Sequence, residues 1–240
     1  MDSTDQSFGL KEDWKSVQET LEEIIPVYDK TNRYISLGTD LKLRKRGIEL
    51  LCASFENRDF DLVDLGCGTG TMTRLIHEKT QEVIATLVDP IPKMMAVARK
   101  RIRTDGLLAV YEFLPFRDGV IDAAMAGFSL RDARDLDLAL KEIRRMLKLS
   151  GKFLIVDLSK PDSRVKRQMI SIYWSTIAPL IAFLSSGRLG LKFGALYRTY
   201  KRLPTVSKFF IAIEKEGFEI SKSEFRMLGG VSVILLTRAK

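Results

Sequence analysis

Apolar residues follow two alternating periods from about residue 58 onward. Five short runs are apolar enough to form buried strands, and they read FDLVDLG, EVIATLVD, LLAVYEFL, VIDAAMAGFS and GKFLIVDLS. Between them, apolar residues recur every three to four positions, as they do on one face of a helix. Strands that alternate with single helices predict a parallel sheet covered by helices on both faces. The predicted fold class is therefore α/β, with a doubly wound and mostly parallel sheet.

Proline and glycine mark the expected ends of two of the predicted helices. Pro92 suits the first turn of a helix that carries Met95 and Ala98 on one face. Gly151 is expected to stop the later helix, whose apolar positions end at Leu147. The fifth strand would then begin directly at this glycine.

The end of the chain has a different pattern, because two strand-like runs follow one another without a helix. Residues 218–228 and 231–238 are joined by Gly229-Gly230, an arrangement that predicts a β-hairpin. Such a hairpin would add an antiparallel edge and bring the sheet to seven strands. Residues 1–50 are expected to form a helical region that precedes the main domain, 51–240.

The net charge is +8, and the whole excess lies in one segment. Between residues 161 and 210 the only acid is Asp162, against nine basic residues: Arg164, Lys166, Arg167, Arg188, Lys192, Arg198, Lys201, Arg202 and Lys208. A local excess of positive charge favours an anionic partner, either nucleic acid or a membrane surface.

The same segment carries a long apolar run, MISIYWSTIAPLIAFLSS, which covers residues 169–186. Its length is marginal for crossing a bilayer, Pro179 would kink it, and it lies between two strands of one sheet. We therefore expect an apolar helical insert at about 162–204 that caps an acceptor pocket and rests on anionic lipid. The alternative is a helix buried within the domain or in a homodimer interface.

The cysteines and the N-terminus bear on the cellular setting. Cys52 and Cys67 are too few for a disulfide framework and lack metal-ligand spacing, so no metal site is expected. The first fifteen residues are polar and lack the apolar core of a secretion signal. The sequence predicts a cytoplasmic protein, with peripheral contact at the inner face of the membrane.

The sharpest chemical signal is the glycine turn after the first strand, Asp64-Leu65-Gly66-Cys67-Gly68-Thr69-Gly70. Its glycines let a ligand approach the backbone, and the next helix offers free amides. Asp89 ends the second strand, where an acid can accept both ribose hydroxyls of a nucleotide. The carboxylate of Asp64 would repel phosphates, but it could help to order a cationic, amino-acid-like group. The alternative is a plain strand-to-helix turn.

The motif DLGCGTG resembles the first motif of class I methyltransferases that use S-adenosylmethionine. From about residue 20 to the C-terminus, the chain resembles the ubiquinone/menaquinone C-methyltransferase (UbiE-type) family. The resemblance is carried by four stretches: Tyr28-Asp29-Lys30-Thr31-Asn32 with Ser36, Phe128-Ser129-Leu130-Arg131-Asp132, residues 145–151 and residues 157–161. The chain departs from the family pattern at four positions, where Asp40, Leu43, Val110 and Asp132 replace His, Trp, Asp and Asn.

This resemblance implies a Rossmann-like methyltransferase fold with S-adenosylmethionine as cofactor. The cofactor-binding residues would be Asp64, Gly66, Gly68, Thr69, Gly70, Asp89, Val110, Tyr111 and Gly127. Adenine would rely on the backbone at Tyr111 or on Glu112. Residues 1–50 would form a lid over the methyl donor, and the alternative is an amphipathic helix that merely docks on the domain.

Catalysis on a ring carbon calls for a base that deprotonates a neighbouring hydroxyl and a cation that stabilises the phenolate. We assign Arg131 to orienting the acceptor oxygen and Asp132 to the role of base, with Tyr28 as a helper. The alternative is a surface Arg-Asp pair that caps the next helix.

The predicted function is methyl transfer from S-adenosylmethionine to a lipophilic acceptor, with a quinol ring carbon as the leading candidate. The alternatives are O- or N-methylation of another apolar molecule or lipid head group, and a scaffold that binds the cofactor without catalysis. Nucleic-acid binding or modification is a further alternative. It is disfavoured because the basic segment is interleaved with a long apolar run.

Overall fold

The centre of the fold is a seven-stranded sheet, and the computed structural model describes residues 8–10, 13–56 and 58–240. The strands are β1 Phe60–Leu65, β2 Val83–Val88, β3 Asp105–Leu107, β4 Ile121–Gly127, β5 Leu147–Leu158, β6 Phe218–Arg226 and β7 Val231–Arg238. Their order is β3-β2-β1-β4-β5-β7-β6; β1 to β5 pair in parallel, and β7 is antiparallel to both of its neighbours. This topology confirms the predicted doubly wound sheet with an antiparallel C-terminal hairpin.

Helices cover both faces of the sheet and the edge where the parallel strands end. The helices are α1 Trp14–Ile24, α2 Tyr28–Ile35, α3 Thr39–Cys52, α4 Thr71–Lys79, α5 Pro92–Arg101, α6 Leu136–Met146, α7 Arg164–Ile172, α8 Ala178–Leu191, α9 Ala195–Arg202 and α10 Val206–Lys215. α3 and α4 bury their apolar faces on one side of the sheet, and α6 and α10 bury theirs on the other. α6 follows the predicted spacing, because Leu136, Leu140 and Ile143 are all buried.

The third strand is the main departure from the sequence prediction. We predicted a strand over LLAVYEFL, but β3 covers only Asp105–Leu107, so the two share a single residue. Leu107 and Leu108 are exposed, because β3 is the edge strand and is short. The Tyr111 side chain turns inward instead, and its hydroxyl donates to the Leu65 carbonyl at 2.8 Å. The aromatic part of this run therefore supports the glycine turn rather than forming a strand.

The boundary between α6 and β5 also differs from the prediction. The helix ends at Met146 and the strand begins at Leu147, so Gly151 lies inside β5 and does not stop the helix. The backbone amides of Gly119 and Val120 donate to the carbonyls of Arg145 and Met146, at 2.9 and 3.0 Å. The loop before β4 thus provides hydrogen-bond donors for the last carbonyls of α6. This contact is tertiary, so no local sequence pattern predicts it.

The helices at the N-terminus and the helical insert pack on each other above the strand ends. Thr31 of α2 and Ser186 of α8 share a hydrogen bond of 2.6 Å between their hydroxyls. The Tyr173 hydroxyl, from a π-helical turn between α7 and α8, donates to the Ile35 carbonyl at 2.5 Å. Trp174 and Phe193 of the insert are buried in the same layer. These contacts join α2 and the insert, which are far apart in the chain, into one helical layer above the strand ends.

The insert is folded back on itself. The segment Arg164–Arg202 is long and apolar enough to span a membrane, with a mean hydropathy of 1.5 in a window that is 17% buried. The helical course breaks at Gly187, whose φ of 61° and ψ of −144° are accessible to glycine. After this turn Gly190 lies so close to Ala182 that a Cβ would overlap the Ala182 carbonyl. The apolar segment is therefore a helical hairpin on α2 rather than one straight rod.

Candidate active site

The glycine turn between β1 and α4 has a different requirement at each of its three glycines. All three have positive φ, 61° at Gly66, 54° at Gly68 and 82° at Gly70. A Cβ would lie 2.6 Å from Ser129 Cβ at Gly66 and 2.7 Å from Ile102 Cδ1 at Gly70, so packing excludes side chains there. At Gly68 no atom lies within 4 Å of that position. Gly68 therefore faces open space that a ligand can enter.

Asp64 lies completely buried beneath this turn. Its Oδ2 accepts the backbone amide and the hydroxyl of Thr73, at 3.2 and 2.7 Å, at the start of α4. Its Oδ1 is buried and has no hydrogen-bond partner among the described residues. Burial raises the pKa of Asp64 to about 7, although the bonds from Thr73 and the charge of Arg44 oppose the shift. A cation brought close to this carboxylate would favour its charged form.

Asp89 follows β2 and is bonded to the turn from the other side. Its two carboxylate oxygens accept the backbone amides of Gly68 and Ile91, each at 2.8 Å. Burial raises its pKa to about 6, and these two amide bonds oppose that shift. Each oxygen keeps a further lone pair for ribose hydroxyls, because one hydrogen bond does not saturate a carboxylate oxygen.

A cavity lies above the turn. It brings together seven of the predicted site residues: Tyr28, Gly66, Gly68, Asp89, Val110, Tyr111 and Asp132. Trp14 and Val17 of α1 form its outer wall. We refer to it as the cofactor cavity. Its position at the carboxyl ends of β1, β2 and β4 is where open α/β sheets bind their ligands.

The other predicted cofactor residues lie beside this cavity rather than in its wall. Thr69 donates its hydroxyl to Asp29 Oδ1 at 2.7 Å, which connects the turn to α2. Gly70 makes room for α5, as described above. Gly127 makes room for Arg44, because a Cβ there would lie 2.5 Å from Arg44 Nη1. Asp64 lies below the turn.

The end of the cavity near Asp89 is where an adenine ring would be expected. Val110 and Tyr111 border it, and the Tyr111 hydroxyl is engaged in hydrogen bonds with the Leu65 carbonyl and the Ser129 hydroxyl, each at 2.8 Å. Glu112 also lines the cavity, but its Oε1 accepts the amides of Arg134 and Asp135 at 2.6 and 3.0 Å. Glu112 therefore holds the turn before α6.

Arg131 and Asp132 belong to a buried charge cluster rather than to a surface pair. The Arg131 guanidinium donates to Asp157 Oδ1 at 2.6 Å, and both side chains are almost inaccessible, at 5% and 6% exposure. Burial alone would lower the pKa of Arg131, but Asp132 and Asp157 outweigh it and raise the pKa, so the guanidinium stays charged. The cap of α6 is Asp135, whose carboxylate accepts the amides of Asp137 and Leu138. The helix-capping alternative for Arg131 and Asp132 is therefore wrong.

Asp132 is the less satisfied of the two acids. Its Oδ1 is buried, has no hydrogen-bond partner in the described ranges, and lies 3.8 Å from Arg131 Nε. Burial raises the pKa of Asp132 to about 6, against the attraction of Arg131. A carboxylate with these properties is a suitable general base near neutral pH. Tyr28 suits that role less well, because burial raises the pKa of its phenol above the usual value despite Arg131 and Arg44.

A second cavity lies between α2, α3 and the insert, and we refer to it as the acceptor cavity. Its walls are mostly apolar, and they include Ile35, Leu43, Leu158, Trp174 and Val231. Its polar groups are Asn32, Ser36, Thr39, Asp40, Arg44 and Arg131. This combination suits a flat apolar ring that carries a few oxygen atoms.

Phe128 separates the two cavities and lines both of them. Its φ of 60° is unusual for a non-glycine residue, and its backbone amide donates to the Val156 carbonyl at 2.6 Å. Arg44 stacks on its ring, with the guanidinium carbon 4.9 Å from the ring centre. Strain held at a ligand cleft is a common feature of functional sites.

Sequence reasoning did not identify Arg44 or Asp157 as members of the site. Arg44 lies on the buried face of α3 with Gly47, Ile48 and Leu51, so a charged residue at an apolar helix position was a usable signal. Asp157 stood only in the stretch 157–161 that carries the family resemblance, and nothing in that stretch indicated which side chain it would pair with.

The residues present fit S-adenosylmethionine. Gly68 leaves space beside the backbone, Asp89 can bind a ribose, and the buried Asp64 Oδ1 still needs a cationic partner. In the described residues no group of three or more His, Cys, Asp and Glu side chains could hold a metal ion.

Comparison with known proteins identifies the family. The ubiE/COQ5 methyltransferase family matches residues 8–237. A demethylmenaquinone methyltransferase of Thermotoga maritima is 32% identical over 217 residues, which cover 86% of this chain and 90% of that protein. A ubiquinone/menaquinone biosynthesis C-methyltransferase UbiE of Geotalea uraniireducens is 27% identical, with coverages of 95% and 97%.

Solved structures with low sequence identity share the fold. The [4+2]-cyclase SpnF superposes with a TM-score of 0.60 at 18% identity, covering 81% of this chain and 80% of that one. A geranyl diphosphate C-methyltransferase of Streptomyces coelicolor, solved with S-adenosyl-L-homocysteine, gives 0.59 at 14% identity, with coverages of 80% and 78%. Together with the match over almost the whole chain, the cavity and its acids show that this chain belongs to the ubiE/COQ5 methyltransferase family and uses S-adenosylmethionine as methyl donor.

Proposed function

We propose that this enzyme methylates a ring carbon of a hydroquinone that carries an apolar tail. The names of its relatives, which refer to demethylmenaquinone and to ubiquinone/menaquinone biosynthesis, support this acceptor class. The observation that carries the proposal is the meeting of the two cavities at Phe128, with Asp132 in the wall of one and Arg131 in the wall of the other. A ring in the acceptor cavity would approach the methyl donor beside Phe128, where the two cavities adjoin.

When bound, S-adenosylmethionine supplies an electrophilic methyl group on its sulfonium. The ring carbon would take this methyl group as the bond from the methyl carbon to sulfur breaks and S-adenosylhomocysteine leaves. The hydrogen on that ring carbon would then leave as a proton to water, which restores the aromatic ring, and the ring oxygen would regain its proton from Asp132. Asp132 would take the proton of the adjacent ring hydroxyl, which makes the carbon nucleophilic. Arg131 stays charged and would stabilise the phenolate oxygen. The apolar walls exclude water, which would otherwise solvate the phenolate.

The proposal is tested by turnover with defined acceptors. Purified protein would be incubated with methyl-labelled S-adenosylmethionine, reductant and a naphthohydroquinone that has a short isoprenoid tail and a free ring carbon. We expect label on that carbon, identified by mass spectrometry and NMR. Label on a hydroxyl oxygen would favour the O-methylation alternative. Label in an RNA fraction, or none with a protein that still binds S-adenosylhomocysteine, would contradict the proposal.

The region 1–50 is proposed to act as a lid on the cofactor cavity, and a polar clasp supports this role. Asp29 of α2 accepts the Thr69 hydroxyl at 2.7 Å and the guanidinium of Arg101 on α5 at 2.6 Å. Arg101 also donates to the Thr69 carbonyl at 3.3 Å. The clasp therefore joins α2, the glycine turn and α5, which enclose the site from three sides. Through Asp29, the polar stretch around Tyr28 therefore contacts the glycine turn and α5.

Replacing Asp29 by alanine is expected to weaken S-adenosylhomocysteine binding about 5- to 10-fold, because a loosened lid has to be ordered when the ligand binds. Unfolding stability should change by less than about 1 kcal/mol, since the Asp29 and Arg101 side chains are almost half exposed. Calorimetric titration and urea unfolding would measure the two quantities. Glu78→Ala is the matched control, because Glu78 pairs with Arg74 within one helix and takes no part in the clasp. Equal affinity in the Asp29 variant would argue against the clasp.

We also propose that the outer face of the insert rests on an anionic membrane. Val165, Met169, Leu180 and Leu184 are between 52% and 75% exposed, so the domain does not bury this face. Lys192 and Arg202 of the insert form ion pairs with Glu23 and Asp13. The other six basic residues of the insert form no ion pair with the part of the chain that the structure describes: Arg164, Lys166, Arg167, Arg188, Arg198 and Lys201. Exposed apolar side chains beside free cations suit an interfacial helix.

Replacing Leu184 by glutamate is expected to reduce binding to vesicles of anionic lipid at least fivefold, because it puts a charge where an apolar side chain would enter the interface. Flotation with vesicles of pure neutral lipid should recover little of either protein. Leu149→Glu is the control, since the exposure of Leu149 is 64%, comparable to the 75% of Leu184, but Leu149 lies outside the insert. Unchanged flotation together with a shift from dimer to monomer in gel filtration would instead assign this face to a homodimer.

A further inference from the structure

The wall of the acceptor cavity reaches the protein surface at two places. Asn32, Asp40 and Arg44 line both this cavity and an open cleft between α2 and α4, so that opening is polar. The second place is Met227, which lines the acceptor cavity from the turn between β6 and β7. Met227 is the most exposed of the described residues in the cavity wall, at 37%. It therefore lies where the cavity meets the surface.

The turn that carries Met227 is fixed at one end and strained at the other. Met227 and Leu228 have φ angles of 52° and 58°, a left-handed conformation that is unusual for residues with side chains. The carbonyls of Gly229 and Gly230 accept the hydroxyl and the amide of Ser159, which follows β5, at 2.8 and 2.9 Å. Strained backbone that its surroundings hold in place is common at ligand sites.

A single weak contact joins Met227 to the helix on the other side of the opening. The hydroxyl of Thr39, at the start of α3, donates to the Met227 sulfur at 3.7 Å. A thioether is a weak acceptor, and the unbranched methionine side chain changes its rotamer easily. The Met227 side chain can therefore swing aside without the loss of a strong interaction. These properties suit a gate better than a fixed wall.

The two openings differ in what they offer to a hydrocarbon tail. In the cleft, a tail would displace water from the charged groups of Asp40 and Arg44, which is unfavourable. At the other opening it would contact the thioether of Met227. Helix α7 packs against the same turn and leaves Val165 and Met169 71% and 52% exposed. An apolar tail therefore finds an apolar surface only at the opening beside Met227.

We infer that Met227 is the gate through which the apolar tail of the acceptor leaves the acceptor cavity, and that it sets the preference for hydroquinones that carry a tail. The inference rests on the proposed hydroquinone acceptor and adds the place where its tail leaves the protein. The reacting ring stays in the acceptor cavity. The tail passes Met227 toward α7, which belongs to the insert face that we proposed to rest on lipid.

The test compares two acceptors that differ only in the tail. One is a naphthohydroquinone with a short isoprenoid tail, and the other carries a methyl group at the same ring position. The wild-type protein should show a higher kcat/KM for the tailed acceptor. Met227→Trp fills the opening and should reduce that preference about tenfold or more, the effect of keeping about two carbon groups out of an apolar wall. Calorimetric titration with the two oxidised quinones would measure the same preference without turnover.

Two further variants keep the test decisive. Met227→Lys retains an unbranched side chain of similar length but adds a charge at the opening, so it should also reduce the preference. Arg33→Trp is the matched control, because Arg33 lines the polar cleft and not the acceptor cavity. It should keep the whole preference. Thermal unfolding midpoints would show whether each variant is folded as stably as the wild type.

A photoreactive tail locates the opening directly in the wild-type protein. A quinone with a diazirine at the last carbon of its tail would be bound and irradiated, and the labelled peptides would be identified by mass spectrometry. We expect label at residues 227–228 or on α7. Label at residues 30–41 or 71–74 would place the tail in the polar cleft and contradict the inference.

Other outcomes would also overturn the inference. An unchanged preference in both Met227 variants would mean that the tail does not pass this residue. Equal weakening of both acceptors would make Met227 a residue that only shapes the ring site. The proposed reaction can fail separately: if neither acceptor is methylated, but the Met227 variants still lose the tail-dependent binding of quinones, the gate is supported and only the proposed chemistry is contradicted.

Discussion

Asp132→Asn is expected to lower kcat by about 100-fold or more, because removing a positioned general base costs about 10²- to 10⁴-fold. The asparagine keeps the size of the side chain but cannot accept the proton of the ring hydroxyl. Affinity for S-adenosylhomocysteine should remain within about twofold. Asp118→Asn is a suitable control, because the Asp118 side chain is 80% exposed and lines neither cavity. A loss below about threefold would remove Asp132 from the role of base.

The same variant should change the pH dependence of turnover. Burial raises the pKa of Asp132 to about 6, and a base works only in its charged form, so kcat/KM should rise with pH and level off above about 7. Protonation below pH 6 removes the base and the activity with it. In Asp132→Asn this rise should disappear or move. An unchanged rise would assign it to another acid of the site, such as Asp89, whose pKa is also about 6.

Arg131→Met is expected to destabilise the folded protein by about 3–5 kcal/mol, the usual cost of leaving one member of a buried ion pair without its partner. The partner left behind is Asp157, whose side chain is 6% exposed. Loss of turnover in this variant alone would therefore mix a folding defect with a catalytic one.

The double variant Arg131→Met/Asp157→Asn separates the two effects. It removes both charges, so most of the lost stability should return, while turnover should stay low because the phenolate loses its cation. Urea unfolding and acceptor turnover would be measured on the same preparations. Recovery of both stability and turnover would mean that Arg131 acts only as a structural partner of Asp157. Stability of the single variant within about 1 kcal/mol of wild type would contradict the expected cost.

Much of the site could be predicted because its parts are local in sequence. The glycine turn and Asp89 follow two consecutive strands, and in a parallel sheet the ends of such strands meet at one edge. The seven predicted residues in the wall of the cofactor cavity all lie in such loops or in the stretch that begins at Tyr28. Gly70 and Gly127 were assigned to the cofactor for the same reason, but their neighbours are side chains of α5 and Arg44.

The third strand shows where a local pattern misleads. LLAVYEFL has the composition of a strand, yet Tyr111 and Glu112 form hydrogen bonds with residues far away in the chain, at Leu65 and Arg134. These bonds satisfy buried polar groups that a strand at the exposed edge would have left in solvent. The conformation of this run therefore depends on hydrogen-bond partners that lie 46 and 22 residues away in the chain. The apolar periodicity within the run cannot predict these partners.

By itself, the sequence determined the α/β fold class, the place of the glycine turn and the family, because periodicity and short motifs depend on residues close together in the chain. Only the tertiary structure decided that Arg131 pairs with Asp157 and that Asp29 bonds to Thr69 of the glycine turn. Each of these depends on which side chains lose water together when distant segments pack. The loss of water determines the charge, the pKa and the unsatisfied hydrogen bonds of a buried group. The packing that removes the water involves several distant segments, so no single stretch of the sequence predicts it.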